Sequence, residues 1–594
     1  MCGIAGIFGR PDRALLERMT QRIKHRGPDG QGTSLVGQAG LGSTRLSLVD
    51  FAGGAQPMSG EGGLTLVFNG ELYNHEAVRR GLEREGQSFR TRGDTEVLLH
   101  GLERRGLACL EDIEGMFAFA VSDGERLTLA RDAFGIKPLY YALVDGGRRL
   151  LFASELKALL VDPALSRELD RAALFEWATF RFLLGERTLF KNVRQVPPGG
   201  TLEVSRRPDG MLELRPGHHS APRPLTLPAS EEERVALLIE RLTSSVRQQH
   251  VADHPVGLFL SGGVDSSLLS ALLAREGVQR LHTFSLADDA EHLDLEVSRR
   301  LAERLGTTHH EYVFSAAELL ESLPRAICAL EGPAEPTIVE SAAQHIRHHV
   351  KAVLCGDGAD ELFAGYMTHA TPGPWVKACA ENYNRMIRTG EVPADECAST
   401  KATLRKLVTP QSEAAREAFY RFFLEGQLTD GHLRVWDLGS MASGLEVRVP
   451  YLDRGIRDLA LSLPWEQRIR GRTCKALLRA AARKVLPESM AAEIVERPKL
   501  AAPSAVRRTA EELNRVAREM LPAEGLTRHS LHRYCAAPAQ RLLLDLFVYL
   551  FVGHGGALPQ GFRWKELYTE HRRELEAALE EAAGSASAPR ATAG

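Results

Sequence analysis

Two stretches of this 594-residue chain carry residue types suited to group-transfer chemistry: MCGIAGIF at residues 1–8 and SGGVDSS at residues 261–267. Loss of the initiator methionine would make Cys2 the terminal residue. One residue would then supply a thiol nucleophile and an α-amino group to act as its base. The intrinsic pKa of such an amine, about 8, is nearly matched to neutral pH. In the second stretch, a Gly-rich turn opening a helix offers backbone amides and a helix dipole to phosphate. No lysine follows Gly262 and Gly263, so the Gly-Lys-Ser/Thr loop of kinases and GTPases is excluded. A nucleophile for acyl transfer joined to a nucleotide site implies a chain that frees a small product and uses ATP to incorporate it.

The elements that must position these residues are legible from periodicity. Up to about Leu202, short apolar runs (64–69, 116–122, 127–131, 151–154) alternate with Gly and Asp turns and read as strands. Helical spacing covers 15–22, 75–85 and 95–105. The expectation is an α+β sandwich over residues 1–205. A proline-rich connector follows at 206–229. From 230 to 565 a strand at 256–260, the Gly-rich turn, a helix from 267, and further strands at 281–286 and 352–355 alternate with helices. That pattern predicts a parallel α/β sheet with a mainly helical part from Glu413 onward. Residues 566–594 read as a charged helix with a frayed tail.

Bulk properties narrow the function. The chain has 74 basic and 77 acidic residues and a formal net charge of −3, which lacks the electrostatic footprint of a nucleic-acid binder or a tRNA-modifying enzyme. Small-molecule substrates are expected. The most apolar stretch, 542–552, contains Asp545 and is too short to span a bilayer. With no signal-peptide pattern, a cytoplasmic location is expected. Eight scattered cysteines without CxxC spacing argue against a disulfide framework and against a cysteine zinc site.

The start MCGIAGIF, together with HRGPDG (25–30), RLSLVD (45–50), FNGELYNH (68–75) and GDTE (93–96), resembles the N-terminal-nucleophile glutaminase domain of class II glutamine amidotransferases. The resemblance implies Cys2 as nucleophile, with the Asn69 side chain and the Gly70 N–H as oxyanion donors. It also implies that glutamine is held by Arg45 at its α-carboxylate and by Asp94 at its ammonium, with Leu46, Ser47, Leu48, Val49 and Glu71 completing the site.

SGGVDSS resembles the PP-loop of ATP pyrophosphatases, which cleave ATP between the α and β phosphates. VLCGDGADELFAGY (353–366), SMASGLEVRVPYLD (440–453), TCKALLR (473–479) and RPK (497–499) resemble the asparagine synthetases. This implies ATP contacts from Leu260, Ser261, Gly262, Gly263, Asp265, Ser266, Ser267, Leu286, Cys355, Gly356 and Lys475. Mg²⁺ would sit on Asp265 and Asp360. Asp357 would be tied to the acyl-adenylate, and Lys499 to charge developing during adenylation or amide formation.

The implied reaction joins the two sites. Glutamine is hydrolysed at Cys2, ammonia passes inside the protein, and a carboxylate activated as its adenylate, aspartate by resemblance, is amidated with release of AMP and pyrophosphate. The alternatives are the same chemistry on another carboxylate or a ring closure like that of β-lactam synthetases. Retention of Cys2 favours nitrogen transfer. The segment LEGPAEPT (330–337), Ala364 and Ala501-Ala502 depart from common forms of the family on the acceptor side. A homodimer is compatible with the resemblance.

Overall fold

A computed structural model describes the chain except residues 1, 49, 51–52, 288, 290–291, 336, 389–391, 409–412, 498–503, 522–528, 536 and 585–594. Val49 and Lys499, and the tail expected to fray, therefore lie outside the described residues.

The first unit contains β1 (Cys2–Phe8), β2 (Gly30–Val36), β3 (Ala39–Arg45), β4 (Met58–Ser59), β5 (Thr65–Leu72), β6 (Gly115–Ser122), β7 (Arg126–Arg131), β8 (Tyr140–Val144), β9 (Arg149–Ala153), β10 (Val193–Gln195), β11 (Gly200–Arg206) and β12 (Leu212–His218). They form two antiparallel six-stranded sheets, ordered β10-β8-β9-β1-β3-β2 and β12-β11-β7-β6-β5-β4. The period of two along β1 explains the layering. Ile4 and Phe8 point between the sheets and join Val67, Ala118 and Phe152, whereas Ala5 and Ile7 point outward onto Leu15, Leu16 and Met19 of the helix Arg13–Arg22. Asp12 starts that helix by accepting from the Leu15 N–H. The other sheet is covered by Asp94–Arg105, whose Leu98, Leu99 and Leu102 pack on Phe68 and Phe119. Each such buried side chain stabilises the sandwich by about 1.5–3 kcal/mol. The result is an α+β sandwich of two antiparallel sheets with a helix packed on the outer face of each.

The second unit is built on β13 (Val256–Phe259), β14 (His282–Ala287), β15 (Thr308–Val313), β16 (Ala352–Leu354) and β17 (Glu446–Arg448). Its order, β15-β14-β13-β16-β17, is parallel throughout. The chain order reverses between β13 and β16. A crevice opens there beyond the carboxyl ends of the strands, the place where open α/β sheets bind ligands. SGGVDSS follows β13 and GDGAD follows β16, so both loops flank it.

Three features differ from the sequence expectation. The expected connector at 206–229 begins with β12, which pairs with β11 along its whole length; Pro216 is accommodated because β12 is an edge strand. Strand β17 escapes an apolar-run criterion because it reads Glu-Val-Arg, yet all three residues are buried. The helices Pro538–Phe547 and Arg572–Ala582 share one core with Ile7, Leu16 and Leu174 of the first unit, so the C-terminal segment is a strut across both units. Among the described residues, no helix is long and apolar enough to cross a membrane.

Candidate active sites

Antiparallel register assembles the first site. Cys2 at the start of β1 lies opposite Arg45 at the end of β3. Asn69 and Gly70 come from the buried middle of β5. The Cys2 N–H donates to Asn69 Oδ1 at 3.2 Å. Asn69 is fully buried, and among the described residues its amide nitrogen Nδ2 has no hydrogen-bond acceptor. A buried amide with one end fixed and the other donor unmet is a preorganised place for a negatively charged oxygen. Gly70 has a steric reason to be glycine: a Cβ there would stand 2.2 Å from the Met116 carbonyl oxygen. Burial pushes the Cys2 thiol up, opposed by the N-terminal ammonium and by Arg45.

Buried carboxylates lie around Cys2. Asp94 begins the helix Asp94–Arg105 and accepts from the Leu72 N–H at 3.0 Å, yet burial raises its pKa. Glu71 is pushed up to about 8 by burial and by the carboxylates of Glu446 and Asp94. Arg448 offsets this incompletely: it forms a close pair with Glu446 and lies 3.8 Å from Glu71. The N-terminal ammonium also favours the ionised forms of Glu71 and Asp94, yet burial outweighs these cations and keeps both carboxyl groups raised. Arg45 donates to the Asp50 carbonyl at 2.6 Å, and a Cβ at Gly54 would stand 2.2 Å from its guanidinium, so Asp50 and Gly54 shape its orientation. In the loop after β3, Leu46 and Leu48 turn into the core of the second unit and Ser47 donates its N–H to Asp29 at 2.9 Å.

The second site lies at the sheet's switch point around a cavity of about 320 Å³. Leu260, Ser261, Gly263, Asp265, Ser266, Leu286, Cys355, Gly356, Asp357, Asp360 and Lys475 line it. Gly262 does not; it supplies the turn at φ +70°, where a side chain would also press on Asp294 and Val297. Ser267 is fully buried beneath the loop. Gly263 caps the helix Val264–Arg275, whose first turn faces the cavity. Lys475 Nζ bridges Asp265 at 2.5 Å and Asp360 at 2.7 Å. Burial works to lower this ammonium, but the two carboxylates outweigh it and hold it well above its ordinary value. Asp357 accepts from the Cys355 thiol at 2.6 Å.

Several groups escaped sequence reasoning. Gln56 faces Cys2 Sγ at 3.9 Å and accepts from the Phe68 N–H at 2.7 Å. Arg497 lines the nucleotide cavity with Nη2 on Asp294, while its Nε and Nη1 are buried and unmet. His432 lies 3.8 Å from Asp357 and 3.9 Å from Glu361. The wide helical turn Phe423–Leu433 that carries it is of the i→i+5 kind, common at functional sites and the one signal that marks it.

A buried polar chain links the sites. Arg26 donates to the Cys2 carbonyl at 3.3 Å, to Glu155 at 3.0 Å and across the domain boundary to Asp437 at 2.7 Å. Lys137 meets the same Asp437 at 3.1 Å. Trp436, next to Asp437 in the helix Arg434–Met441, lines the nucleotide cavity. Trp436 and Leu286 also line a second cavity of about 590 Å³ between the units. That cavity is walled by Leu330–Ala334 and by Tyr140, Trp177 and Leu183 of the first unit.

A nucleophile-bearing sandwich joined to a parallel sheet with a PP-loop crevice defines a two-site amidotransferase. A glutamine amidotransferase domain model matches residues 1–211 and an asparagine synthase model matches residues 237–545. The chain is 31% identical to asparagine synthetase [glutamine-hydrolyzing] 1 of Bacillus subtilis (strain 168) over 568 residues, covering 85% of this chain and 87% of that protein. It is 31% identical to asparagine synthetase [glutamine-hydrolyzing] 3 of the same organism over 540 residues, covering 82% and 85%. A probable asparagine synthetase [glutamine-hydrolyzing] of Schizosaccharomyces pombe is 29% identical over 517 residues, covering 81% and 80%. The chain belongs to the family of glutamine-hydrolysing asparagine synthetases, enzymes of the amide-forming ligase class.

Proposed function

We propose that the chain transfers the amide nitrogen of glutamine to a carboxylic acid activated as its adenylate. The observation that carries the first half is the unmet Nδ2 donor of Asn69 beside Cys2. Glutamine docks with its α-carboxylate on Arg45 and its ammonium in the negative field of Glu71 and Asp94. With Met1 removed, the Cys2 amine takes the thiol proton and Sγ attacks the amide carbon. The developing oxyanion meets Asn69 Nδ2 and the Gly70 N–H. The amine returns the proton to the departing ammonia, and water cleaves the thioester to glutamate.

In the second half, an acceptor carboxylate oxygen attacks the α-phosphorus of ATP seated in the switch-point crevice, and pyrophosphate leaves. Ammonia then attacks the acyl carbon and AMP departs. Lys475 and Arg497 would receive charge on the phosphates, with Asp357 beside the acyl-adenylate and Lys499 as a further cation for the same reaction. Asp265 and Asp360, two carboxylates that already converge on one cation, suit Mg²⁺, which would neutralise phosphate charge. Arg26 and Asp437 form a buried polar path from the Cys2 carbonyl to the helix that carries Trp436, and on this reading the two reactions run in concert.

Aspartate is the acceptor that the relatives' names supply. The cavity of about 590 Å³ next to the nucleotide site favours a second reading, a larger carboxylic acid. It falls in the range of roughly 300–1,000 Å³ typical of drug-sized ligands, and Leu330–Glu335 and Thr337 form part of its wall. The test is to incubate the enzyme with ATP, Mg²⁺, glutamine and a panel of carboxylic acids and to follow AMP and amide products by mass spectrometry. AMP with aspartate supports the first reading, and AMP only with bulkier acids the second. No AMP with any acid, under conditions where glutamine is hydrolysed, overturns the synthetase half.

A further inference from the structure

At the far edge of the parallel sheet, three histidines converge from three separate elements. His282 is the first residue of β14, and His310 lies in the edge strand β15. In their parallel register Phe284 is opposite His310, and the two-residue period puts His282, Phe284 and His310 on one face. His349 comes from the turn between the helix Ile338–Ile346 and β16, where its N–H donates to the Ile346 carbonyl at 2.9 Å. One nitrogen of each ring lies within 4.8 Å of the others. His282 Nδ1 and His310 Nε2 are 3.0 Å apart, and the rings of His310 and His349 are centred 4.2 Å apart.

Aromatic packing alone accounts for part of this: the His310 ring stacks on Phe284 at 5.0 Å. It does not account for three imidazoles meeting nitrogen to nitrogen, where any two protonated rings repel. The 3.0 Å contact between His282 and His310 is an N–H···N hydrogen bond, and moving its proton to the other nitrogen of the donor ring leaves both facing nitrogens with lone pairs. Two ligands of a tetrahedral zinc at about 2.0–2.1 Å stand roughly 3.3 Å apart, so the His282–His310 pair would open by only a few tenths of an ångström.

We propose that His282, His310 and His349 form a binding site for a divalent transition metal, zinc being the best match, which clips the sheet edge to the turn that leads into β16. Three neutral imidazoles without an oxygen ligand suit Zn²⁺, Co²⁺, Ni²⁺ or Cu²⁺ and discriminate against Mg²⁺ and Ca²⁺. His349 is exposed, which leaves the fourth position open to water. The site lies at the amino end of β14, opposite the end where Leu286 meets the nucleotide cavity, so its role is structural.

The test uses the full chain freed of metal by a chelator and dialysed, then titrated with Zn²⁺ against a chromophoric competitor. Wild type should bind one tight equivalent and melt at a higher temperature with zinc. His349→Ala and His282→Ala should each lose at least about 100-fold in affinity and the zinc-dependent rise in melting temperature. Co²⁺ should give the intense visible bands of a tetrahedral site in wild type only. Because His349 is exposed, its variant should fold as wild type does without metal, which separates ligand loss from misfolding. Unchanged stoichiometry and affinity in both variants, or no zinc equivalent bound by wild type at 10 µM free metal (roughly the upper end of a meaningful affinity), would overturn the site.

Discussion

The two candidate sites hold their buried carboxylates differently. Around Cys2, burial and the mutual repulsion of Glu71, Asp94 and Glu446 outweigh Arg448 and the N-terminal ammonium, so the pKa of Glu71 is pushed up to about 8. Around the PP-loop, Asp265 and Asp360 share the single ammonium of Lys475 at 2.5 and 2.7 Å. On the proposed reading, the ammonium of glutamine would answer the carboxylates of the first site, and the Lys475 bridge would open to admit a metal–nucleotide complex at the second. Construction differs in the same sense: the first site is set by the register of paired strands, the second by loops at strand ends together with a lysine from a distant helix start. Rigid strands suit a fixed oxyanion hole, whereas loops allow the exchange of partners that the second site requires.

That contrast can be broken in four ways. The largest effect is expected for Cys2→Ala, which should lower glutamine-dependent amide formation by at least about 10³-fold while ammonia-dependent AMP release persists. Equal loss with both nitrogen sources would mean that the two centres are not separable. Next, Lys475→Met should abolish nucleotide-dependent chemistry and destabilise the fold by about 3–5 kcal/mol, because it leaves two carboxylates facing each other without a cation. Denaturant melts read the stability, and a glutaminase assay should show the first site still active. Asn69→Ala should lower glutaminase kcat by about 10²–10³-fold with little change in KM, since the amide donor is needed in the transition state.

The smallest effect concerns Glu71. Its folded-state pKa of about 8 lies above the unfolded value near 4.5, so its contribution to stability is present below pH 4.5 and is lost as pH rises toward 8. Glutamine binding runs the other way, because the ammonium needs the ionised carboxylate: KM for glutamine should rise as pH falls below 8. Glu71→Gln should raise KM and flatten that dependence. A KM profile identical to wild type would remove Glu71 from the ammonium site.

The first unit was readable because its residues sit in short local patterns: β5 as a short apolar run, Asp94 at a helix start, Cys2 at the head of β1. The same held for the strand–turn–helix around Gly262. Strand β17 was not readable, since its Glu446 and Arg448 are charged and become buried only by pairing with each other and facing Glu71 across the boundary. Arg26 appeared within a motif, but its bond to Asp437, 411 positions away, has no local signature. Proline content suggested a linker where β12 forms, because an edge strand tolerates what a central strand does not.

Residue chemistry and spacing along the chain sufficed to establish the sheet-rich first unit, the parallel α/β second unit and the strand–turn–helix around Gly262, all of which rest on local backbone preferences. Tertiary structure alone decided how the sites face each other: the buried carboxylates around Cys2, the Lys475 bridge, the large cavity beside Trp436 and the convergence of His282, His310 and His349. The reason is range. Strands, turns and caps are dictated by neighbours a few positions apart, while burial and charge depend on which distant segments exclude water from one another.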